Sequence, residues 1–281
     1  MNLSRTKPIL TIGALTFTLL ASSTPATAAK LSFLICQPGG PDLKDQEQAI
    51  MRDFYGYIGK KLGFKQGQIQ GQYLTNRKKC LKALEEKPSV LMLSLDLFLD
   101  AYKTKRLEPI AQIKIRGKTK SAYYLMSSAG GPSKLEELRG KKISGTTVHD
   151  PRFVANVIMK GQLGSVEELA LKPKKLGLRG VRDVIRGKSS AVLLDEPQYQ
   201  ALSGTPFEKK LQLVYQSDAL TNPPIAVDKQ RVKKPLRKKM RSLMLSMSTE
   251  DKGKKLLSAF GIDAFVQPSA SSWKAMSQQM K

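Results

Sequence analysis

The sequence predicts an α/β fold divided into two similar lobes. Three observations support this prediction: the chain has 281 residues, strand-like and helix-like segments alternate along it, and 41% of its residues are hydrophobic. A chain of this length exceeds one average domain of roughly 100 to 150 residues. Alternation of the two patterns is typical of mostly parallel sheets with helices on both faces. We therefore expect two layered lobes, each with its own core.

The first 29 residues have the pattern of a secretory signal peptide. Arg5 and Lys7 precede an apolar run that is short for a membrane span, and small residues follow it. We expect cleavage after Ala28 or Ala29. No cysteine lies between the run and the expected cleavage site, so a lipid anchor is not expected. The pattern predicts a soluble exported protein, most simply periplasmic.

The chain is strongly cationic, with 48 lysines and arginines against 23 acidic residues and a net charge of +25. Loss of the two basic residues of the signal would lower this charge by two, to +23. Exported proteins rarely meet nucleic acid, so no nucleic-acid partner is expected. The charge indicates steering of anionic solutes, attraction to anionic membranes, or solubility alone. The basic run 229–241 lies near a membrane or partner, or on the outer face of a helix.

The first lobe is predicted from a strand–helix alternation that begins at residue 31. Residues 31–36 and 69–74 read as strands, and residues 90–95 as a central strand that is apolar on both faces. The intervening helices are predicted over 45–64, ending near Gly63, and after a cap at Thr75 or Asn76. The second of these helices is expected to bury Leu81 and Leu84.

A second alternation of the same kind follows and predicts the second lobe over about residues 118–215. Ser133 and Glu136 have the spacing of a capping box, and Leu135 and Leu138 face a core. The chain then returns to the first lobe, so we expect lobe 1 to comprise 30–117 plus 216–281. Its last helix is expected to bury Trp273, Met276 and Met280.

Enzyme motifs are mostly missing from the sequence. It contains neither GxSxG nor HExxH, and Gln112 stands where a phosphate-binding loop ending at 116–119 needs glycine. With a single histidine, a catalytic triad or a transition-metal site would have to include His149. We therefore expect no cofactor, no metal and no catalysis. A cleft enzyme that uses His149 and Asp150 is the weakest alternative.

The turn around His149 is the most informative local feature. Asp150 precedes Pro151, and a carboxylate at that place is typical of a helix N-cap. His149 would then lie at the carboxyl end of a strand, where open α/β sheets bind ligands. The turn either offers donors to a polar or anionic solute or is simply exposed. Its candidate ligand-binding residues are Thr146, Thr147, His149 and Arg152.

Several segments resemble one protein family over nearly the whole mature chain. LEELRGKKI is similar to its helix-and-strand segment, and SDALTNPPIAV to the turn and strand by which its chain returns. The family comprises the periplasmic solute-binding proteins of ABC transporters, within the PhnD-like group that binds phosphate, phosphite or phosphonate. The resemblance implies a type II clamp that closes about a hinge. It also implies an anion site at a helix start of the second lobe, a place that residues 146–152 occupy here. The family's serine-rich cluster is missing from this segment, so His149 or Arg152 would have to replace its donors.

The predicted strand ends supply further candidate ligand-binding residues. Asp96 could equally cap the following helix, and the neighbouring Pro197 permits a capping role for Glu196 as well. Tyr73 could stack on a solute or simply cover the sheet. The resemblance adds that an acidic residue near 195–196 meets a cationic amine on the ligand. The further candidates are Tyr73, Thr75, Ser94, Asp96, Asp195 and Glu196.

We therefore predict an exported, monomeric solute-binding protein that captures a small anionic, phosphonate-like solute between its lobes. Its partner would be the permease of an ABC transporter in the inner membrane. The alternative is a sensory or accessory module of the same fold that docks to a membrane receptor. Cys36 and Cys80 either form a disulfide or remain thiols.

Overall fold

The computed structural model describes residues 31–39 and 45–280 and folds them into two α/β lobes. The strands of these residues are β1 (Leu31–Cys36), β2 (Ile69–Leu74), β3 (Val90–Leu93), β4 (Leu107–Lys114), β5 (Lys120–Ser121), β6 (Tyr123–Ser128), β7 (Lys142–Gly145), β8 (Ala170–Pro173), β9 (Ala191–Asp195), β10 (Leu211–Gln216), β11 (Leu220–Thr221), β12 (Pro224–Asp228) and β13 (Ala264–Val266). The predicted signal peptide lies outside the described residues.

The two large sheets repeat one strand order. The first sheet runs β13-β4-β12-β3-β1-β2 and the second runs β10-β6-β9-β7-β8. In each sheet three parallel strands are followed by one antiparallel strand, which is β12 in the first sheet and β6 in the second. Most strands of each sheet therefore point the same way. The two-lobed α/β fold class is confirmed.

Helices cover both sheets. They are α1 (Asp45–Leu62), α2 (Arg77–Glu85), α3 (Leu95–Tyr102), α4 (Gly177–Ile185), α5 (Glu196–Gln200), α6 (Lys234–Ser246), α7 (Asp251–Ala259) and α8 (Ala270–Gln279), with shorter turns that include Leu135–Leu138 and Phe153–Ile158. As predicted, Trp273 and Met276 of α8 are buried, and so is Met280 directly after the helix. This helix packs on α3 of the first lobe and on residues 153–158 of the second, so it helps to hold the lobes together. The basic run 229–241 spans a turn and the first half of α6.

The inward face of α2 differs from the predicted one. Leu81 is 42% exposed and Leu84 is half-buried, whereas Cys80 and Ala83 are buried. The reason is a disulfide between Cys80 and Cys36 of β1, with 5.8 Å between the two Cα atoms. This bond directs Cys80 into the core and rotates Leu81 toward solvent. Asn76 caps α2, since its Oδ1 accepts a 3.1 Å hydrogen bond from the Lys79 amide.

The predicted capping box in the second lobe is wrong by one residue. The carboxylate of Glu137, rather than that of Glu136, accepts a 2.8 Å hydrogen bond from the Ser133 amide. The segment is a short 3₁₀ turn over Leu135–Leu138, whose tighter winding brings a different side chain back to its start. Leu135 and Leu138 are buried, as predicted.

The two crossings between the lobes pair with each other. β5 and β11 form a two-stranded antiparallel ribbon. Asn222 fastens this ribbon, because its Nδ2 donates to the carbonyls of Ile113 and Lys118, both at 3.2 Å, and its Oδ1 accepts from the Ser121 hydroxyl at 2.7 Å. The ribbon is thus a narrow, hydrogen-bonded hinge. Within residues 31–39 and 45–280, none of the helices has both the length and the apolar character needed to cross a bilayer.

Candidate functional site

The lobes meet where β1 and β7 end. A Cβ atom placed on Gly39 would lie 2.8 Å from the Cβ of Thr146 and 2.9 Å from its carbonyl oxygen. Gly39 also has φ = +81°, which side chains disfavour. Only glycine therefore allows this close approach of the two strand ends. The two lobes are therefore in contact at these strand ends.

A group of alternating charges links the two lobes, and we call it the inner charge cluster: Asp96, Arg77, Asp150, Arg152 and Asp100. Arg77, at the start of α2, pairs with Asp96 through Nη1 and with Asp150 of the second lobe through Nη2, at 3.0 Å. Arg152 of the second lobe pairs with Asp150 at 2.9 Å and with Asp100 of the first lobe at 3.3 Å. The ion pairs therefore cross between the lobes twice.

Asp150 is the centre of this cluster. Its Oδ1 accepts hydrogen bonds from the amides of Arg152 at 3.0 Å and Phe153 at 3.4 Å, which confirms the predicted N-cap. Burial alone would raise the pKa of its carboxyl, but the hydrogen bond from Arg152 and the charges of Arg152 and Arg77 more than offset burial and lower that pKa. Asp150 is therefore held as a carboxylate.

A pocket of about 880 Å³ opens at the edge of the cleft, and we call it the mouth pocket. Its walls come from α1, β2 and the start of α2 in the first lobe, and from His149 and the end of β8 in the second. Among the described residues, its lining contains five cationic side chains and no carboxylate. The lining residues are Gly39, Met51, Arg52, Tyr55, Gln70, Gly71, Tyr73, Leu74, Thr75, Asn76, Arg77, Lys79, His149, Pro173, Lys174 and Lys175.

Arg77 and Lys174 pair with carboxylates that lie outside the lining. Arg77 belongs to the inner charge cluster, and Lys174 pairs with Asp183 of α4. Arg52, Lys79 and Lys175 are exposed. The first turn of α2 contains only basic charged residues, although the positive end of the helix dipole favours anions there. The mouth pocket is therefore an electropositive surface suited to an anionic solute.

Aromatic and apolar side chains form part of the same pocket. Tyr55 and Met51 contribute from α1, and Tyr73 from β2. The Tyr55 ring lies so close to Gly71 that a Cβ there would come within 2.1 Å of the ring, so the β2 backbone and the ring form one continuous wall. The pocket thus offers an organic group a surface next to the cations.

His149 lies at the boundary between the mouth pocket and the inner charge cluster. It lines the pocket, and its Nε2 is buried with no hydrogen-bond partner among the described residues. Burial lowers the pKa of the imidazole; the charge of Asp96 acts in the opposite direction, and that of Arg77 adds to the lowering. The imidazole is therefore neutral at pH 7.

The predicted site residues fall into three groups. Tyr73, Thr75 and His149 line the mouth pocket. Asp96 and Arg152 belong to the inner charge cluster, where the Ser94 hydroxyl also donates to Asp96 at 2.5 Å. The remaining predicted residues, Thr146, Thr147, Asp195 and Glu196, lie outside the lining of the mouth pocket.

These remaining residues have contacts of their own. Thr146 accepts a 2.8 Å hydrogen bond from the Gln198 side chain. Asp195, rather than Glu196, caps α5, because its carboxylate accepts a 2.8 Å hydrogen bond from the Gln198 amide. Glu196 pairs with Lys118 at 2.6 Å and accepts from the Ala122 amide at 3.2 Å, beside the hinge. The Thr147 hydroxyl is buried without a partner in the described part of the chain.

Sequence reasoning did not identify most of the cations of the mouth pocket. Arg52 lies on α1, whose sequence pattern indicates only which apolar residues are buried. Lys174 and Lys175 follow the edge strand β8. The available signals were the basic tripeptide 77–79 at a helix start and the basic segment 172–175 after a strand. Both were obscured by the many other lysines in the chain.

Two lobes of one strand order, a two-stranded hinge and a polar cleft between strand ends define the type II periplasmic-binding-protein class. The chain belongs to a family within this class, the periplasmic substrate-binding proteins of phosphonate ABC transporters, whose family model matches residues 42–273. The family works with ABC transporter membrane components and binds small solutes in the periplasm. The role of this protein is therefore in transport rather than in sensing.

Solved structures share this fold at low sequence identity. A Xanthomonas citri protein bound to ATP is 10% identical, with a TM-score of 0.72 over 90% of this chain and 97% of that chain. PhnD1 from Prochlorococcus marinus in complex with methylphosphonate is 10% identical, with a TM-score of 0.65 over the same shares. A binding protein component of a Pseudomonas aeruginosa ABC phosphonate transporter is 12% identical, with a TM-score of 0.64 over 90% and 88%. The comparison with curated protein sequences gives no match.

Proposed function

We propose that this protein captures an organic solute carrying a phosphonate or phosphate group in the mouth pocket and delivers it to its permease. The observation that carries the proposal is the lining of five cations without a carboxylate among the described residues. Two solved structures of the same fold hold phosphorus oxyanions, methylphosphonate and ATP, which supports this class of ligand.

The size of the mouth pocket favours a ligand larger than a bare oxyanion. Pockets for small organic ligands have volumes of about 300 to 1,000 Å³. The mouth pocket, at about 880 Å³, lies in this range. A phosphorus oxyanion would contact the cations, and its organic group would pack on Tyr55 and Met51.

Capture would work by bridging the lobes. Arg52 and Lys79 belong to the first lobe, whereas His149 and Lys175 belong to the second. An anion that contacts both sides stabilises the closed arrangement relative to an open one, because only closure brings both sets of donors to it. We propose binding without catalysis, by a monomer that needs neither cofactor nor nucleic acid.

The finer features of the molecule are part of the same proposal. The lobes would be 30–117 plus 216–281 and 118–215, joined at the ribbon of β5 and β11. The signal peptide would be removed near Ala28 or Ala29 before the protein acts in the periplasm. Of the ten predicted ligand-binding residues, Tyr73, Thr75 and His149 are proposed to contact the solute directly.

Titration calorimetry with inorganic phosphate, methylphosphonate and adenosine nucleotides tests this function. We expect the organic phosphorus compounds to bind, and the double variant Lys79→Gln/Lys175→Gln to bind at least about tenfold more weakly, which corresponds to roughly 1.4 kcal/mol. The matched control is Lys238→Gln/Lys239→Gln, which removes the same charge from the exposed side of α6. Equal losses in both double variants would contradict a localised site, and binding of no compound would contradict the class of ligand.

A further inference from the structure

Asp150 is surrounded in the way that a bound oxyanion is. Its carboxylate accepts hydrogen bonds from Arg77 Nη2 at 3.0 Å and from Arg152 Nη2 and Nε at 2.9 and 3.3 Å. The amides of Arg152 and Phe153, at the start of a helical segment, complete the set at 3.0 and 3.4 Å. Two guanidinium groups and a helix start are the donors with which proteins bind carboxylates and phosphates.

The donors come from both lobes. Arg77 belongs to α2 of the first lobe, whereas Arg152 and the Phe153 amide belong to the second. The carboxylate that they share is only 4% exposed. It therefore occupies a position between the lobes at which an external anion could contact both of them.

We propose that Asp150 is a built-in anion: its carboxylate fills an oxyanion site formed by Arg77, Arg152 and the helix start, and so keeps external anions out of that site. A second anion there would be repelled by Asp150, and also by Asp96 and Asp100, which pair with the same arginines. Asp150 is thus a specificity-determining residue that confines solutes to the mouth pocket.

The filled inner site also affects which ligand the mouth pocket binds, a consequence that rests on the proposed function. Because Asp150 fills the inner site, a bare oxyanion could contact only the exposed cations of the mouth pocket. A ligand with an organic group would gain contacts with the wall formed by Tyr55 and Gly71. The filled inner site therefore selects for organic phosphorus compounds over inorganic phosphate.

Chemical rescue tests the built-in anion. Asp150→Gly removes the side chain and leaves a space of the size of acetate, whereas the isosteric Asp150→Asn fills the same space without charge. Thermal melting is followed at pH 7 against sodium acetate, with ionic strength held constant by the salt of a bulky sulfonate buffer. We expect acetate to raise the Tm of Asp150→Gly in a saturable manner, and to leave Asp150→Asn and the unsubstituted protein unchanged.

The outcomes are distinct. Equal responses of the two variants would mean that acetate acts on the general cationic surface, and would overturn the proposal, as would no response in either. If Asp150→Gly folds only with acetate, the concentration needed for folding becomes the readout, and failure to fold at any concentration counts against the proposal. Because the difference between the two variants reports only on the inner site, rescue can succeed even where the phosphorus compounds fail to bind the unsubstituted protein.

Discussion

The inner charge cluster and the mouth pocket use the same types of residue in opposite ways. In the inner cluster, three carboxylates and two arginines alternate, and the ion pairs link the lobes. In the mouth pocket, the described lining contains five cations and no carboxylate. Arg77 belongs to both. Cations paired with carboxylates of both lobes hold the lobes together, whereas a wall that is rich in cations attracts an anionic solute.

The largest expected effect comes from removing the residue that the two regions share. Arg77→Met leaves the buried Asp96 without the cation that it pairs with and Asp150 with Arg152 alone. Breaking a buried ion pair in this way costs about 3 to 5 kcal/mol. We expect a loss of this size in the free energy of unfolding, measured by urea denaturation at pH 7.

Arg52→Met provides the matched comparison, because it removes a cation from the mouth pocket alone. Exposed substitutions of this kind usually change stability by no more than about 0.5 kcal/mol. Similar losses in the two variants would show that the distinction between the inner cluster and the mouth pocket is wrong.

The elements that form the fold were largely predictable, because apolar periodicity reports burial directly. The alternation of segments gave both lobes, and the spacing of Trp273, Met276 and Met280 gave the inward face of α8. Leu81 was assigned to the wrong side of α2, since a disulfide rather than hydrophobicity determines which face is buried there. Local patterns therefore fail where a long-range covalent bond fixes the orientation of a helix.

The site was less predictable, because it depends on which charges become neighbours. Asp150 was identified as a helix cap from its position before Pro151, and its hydrogen bonds agree. Its pairing with Arg77 joins residues 73 positions apart, and no local pattern indicates such a contact. The mouth pocket likewise combines α1, β2 and the end of β8, which only the packing of the lobes brings together.

The next largest effect concerns the acid stability of the inner cluster. Since the folded protein holds the pKa of Asp150 below its usual 3.8, this carboxylate stabilises the fold above that pH and loses its contribution as the pH falls through the lowered value. Asp150→Asn has no such contribution. We expect the difference in unfolding free energy between the unsubstituted protein and this variant to be full at pH 5 and to shrink below about pH 3.8.

Urea denaturation between pH 2.5 and 7 measures this difference. The mouth-pocket variant Lys79→Gln is the control, because it carries no carboxylate change and its difference from the unsubstituted protein should not follow the same course. A difference for Asp150→Asn that stays constant through the acid range would show that Asp150 is not stabilised as a carboxylate.

The smallest expected effect belongs to His149, which lies between the two regions. It is the only histidine in the sequence, so an untagged protein gives a single imidazole to follow by proton NMR. Burial lowers its pKa, and the charge of Arg77 adds to the lowering against Asp96, so we expect a titration midpoint below 6.5. The unfolded chain therefore takes up this proton at a higher pH than the folded protein does. The protein consequently loses stability relative to His149→Gln as the pH falls below 6.5.

The same imidazole resonance shows how each of the two regions affects the pKa of His149. Replacing Arg77 by methionine removes a nearby positive charge from the inner cluster, so the midpoint should rise. Saturation of the mouth pocket with methylphosphonate should also raise it, because an anion beside the imidazole stabilises its protonated form. A midpoint at or above 6.5 in the unliganded protein would contradict the burial of His149. A midpoint that is the same after the Arg77 substitution and after ligand binding would show that His149 does not lie between the two regions.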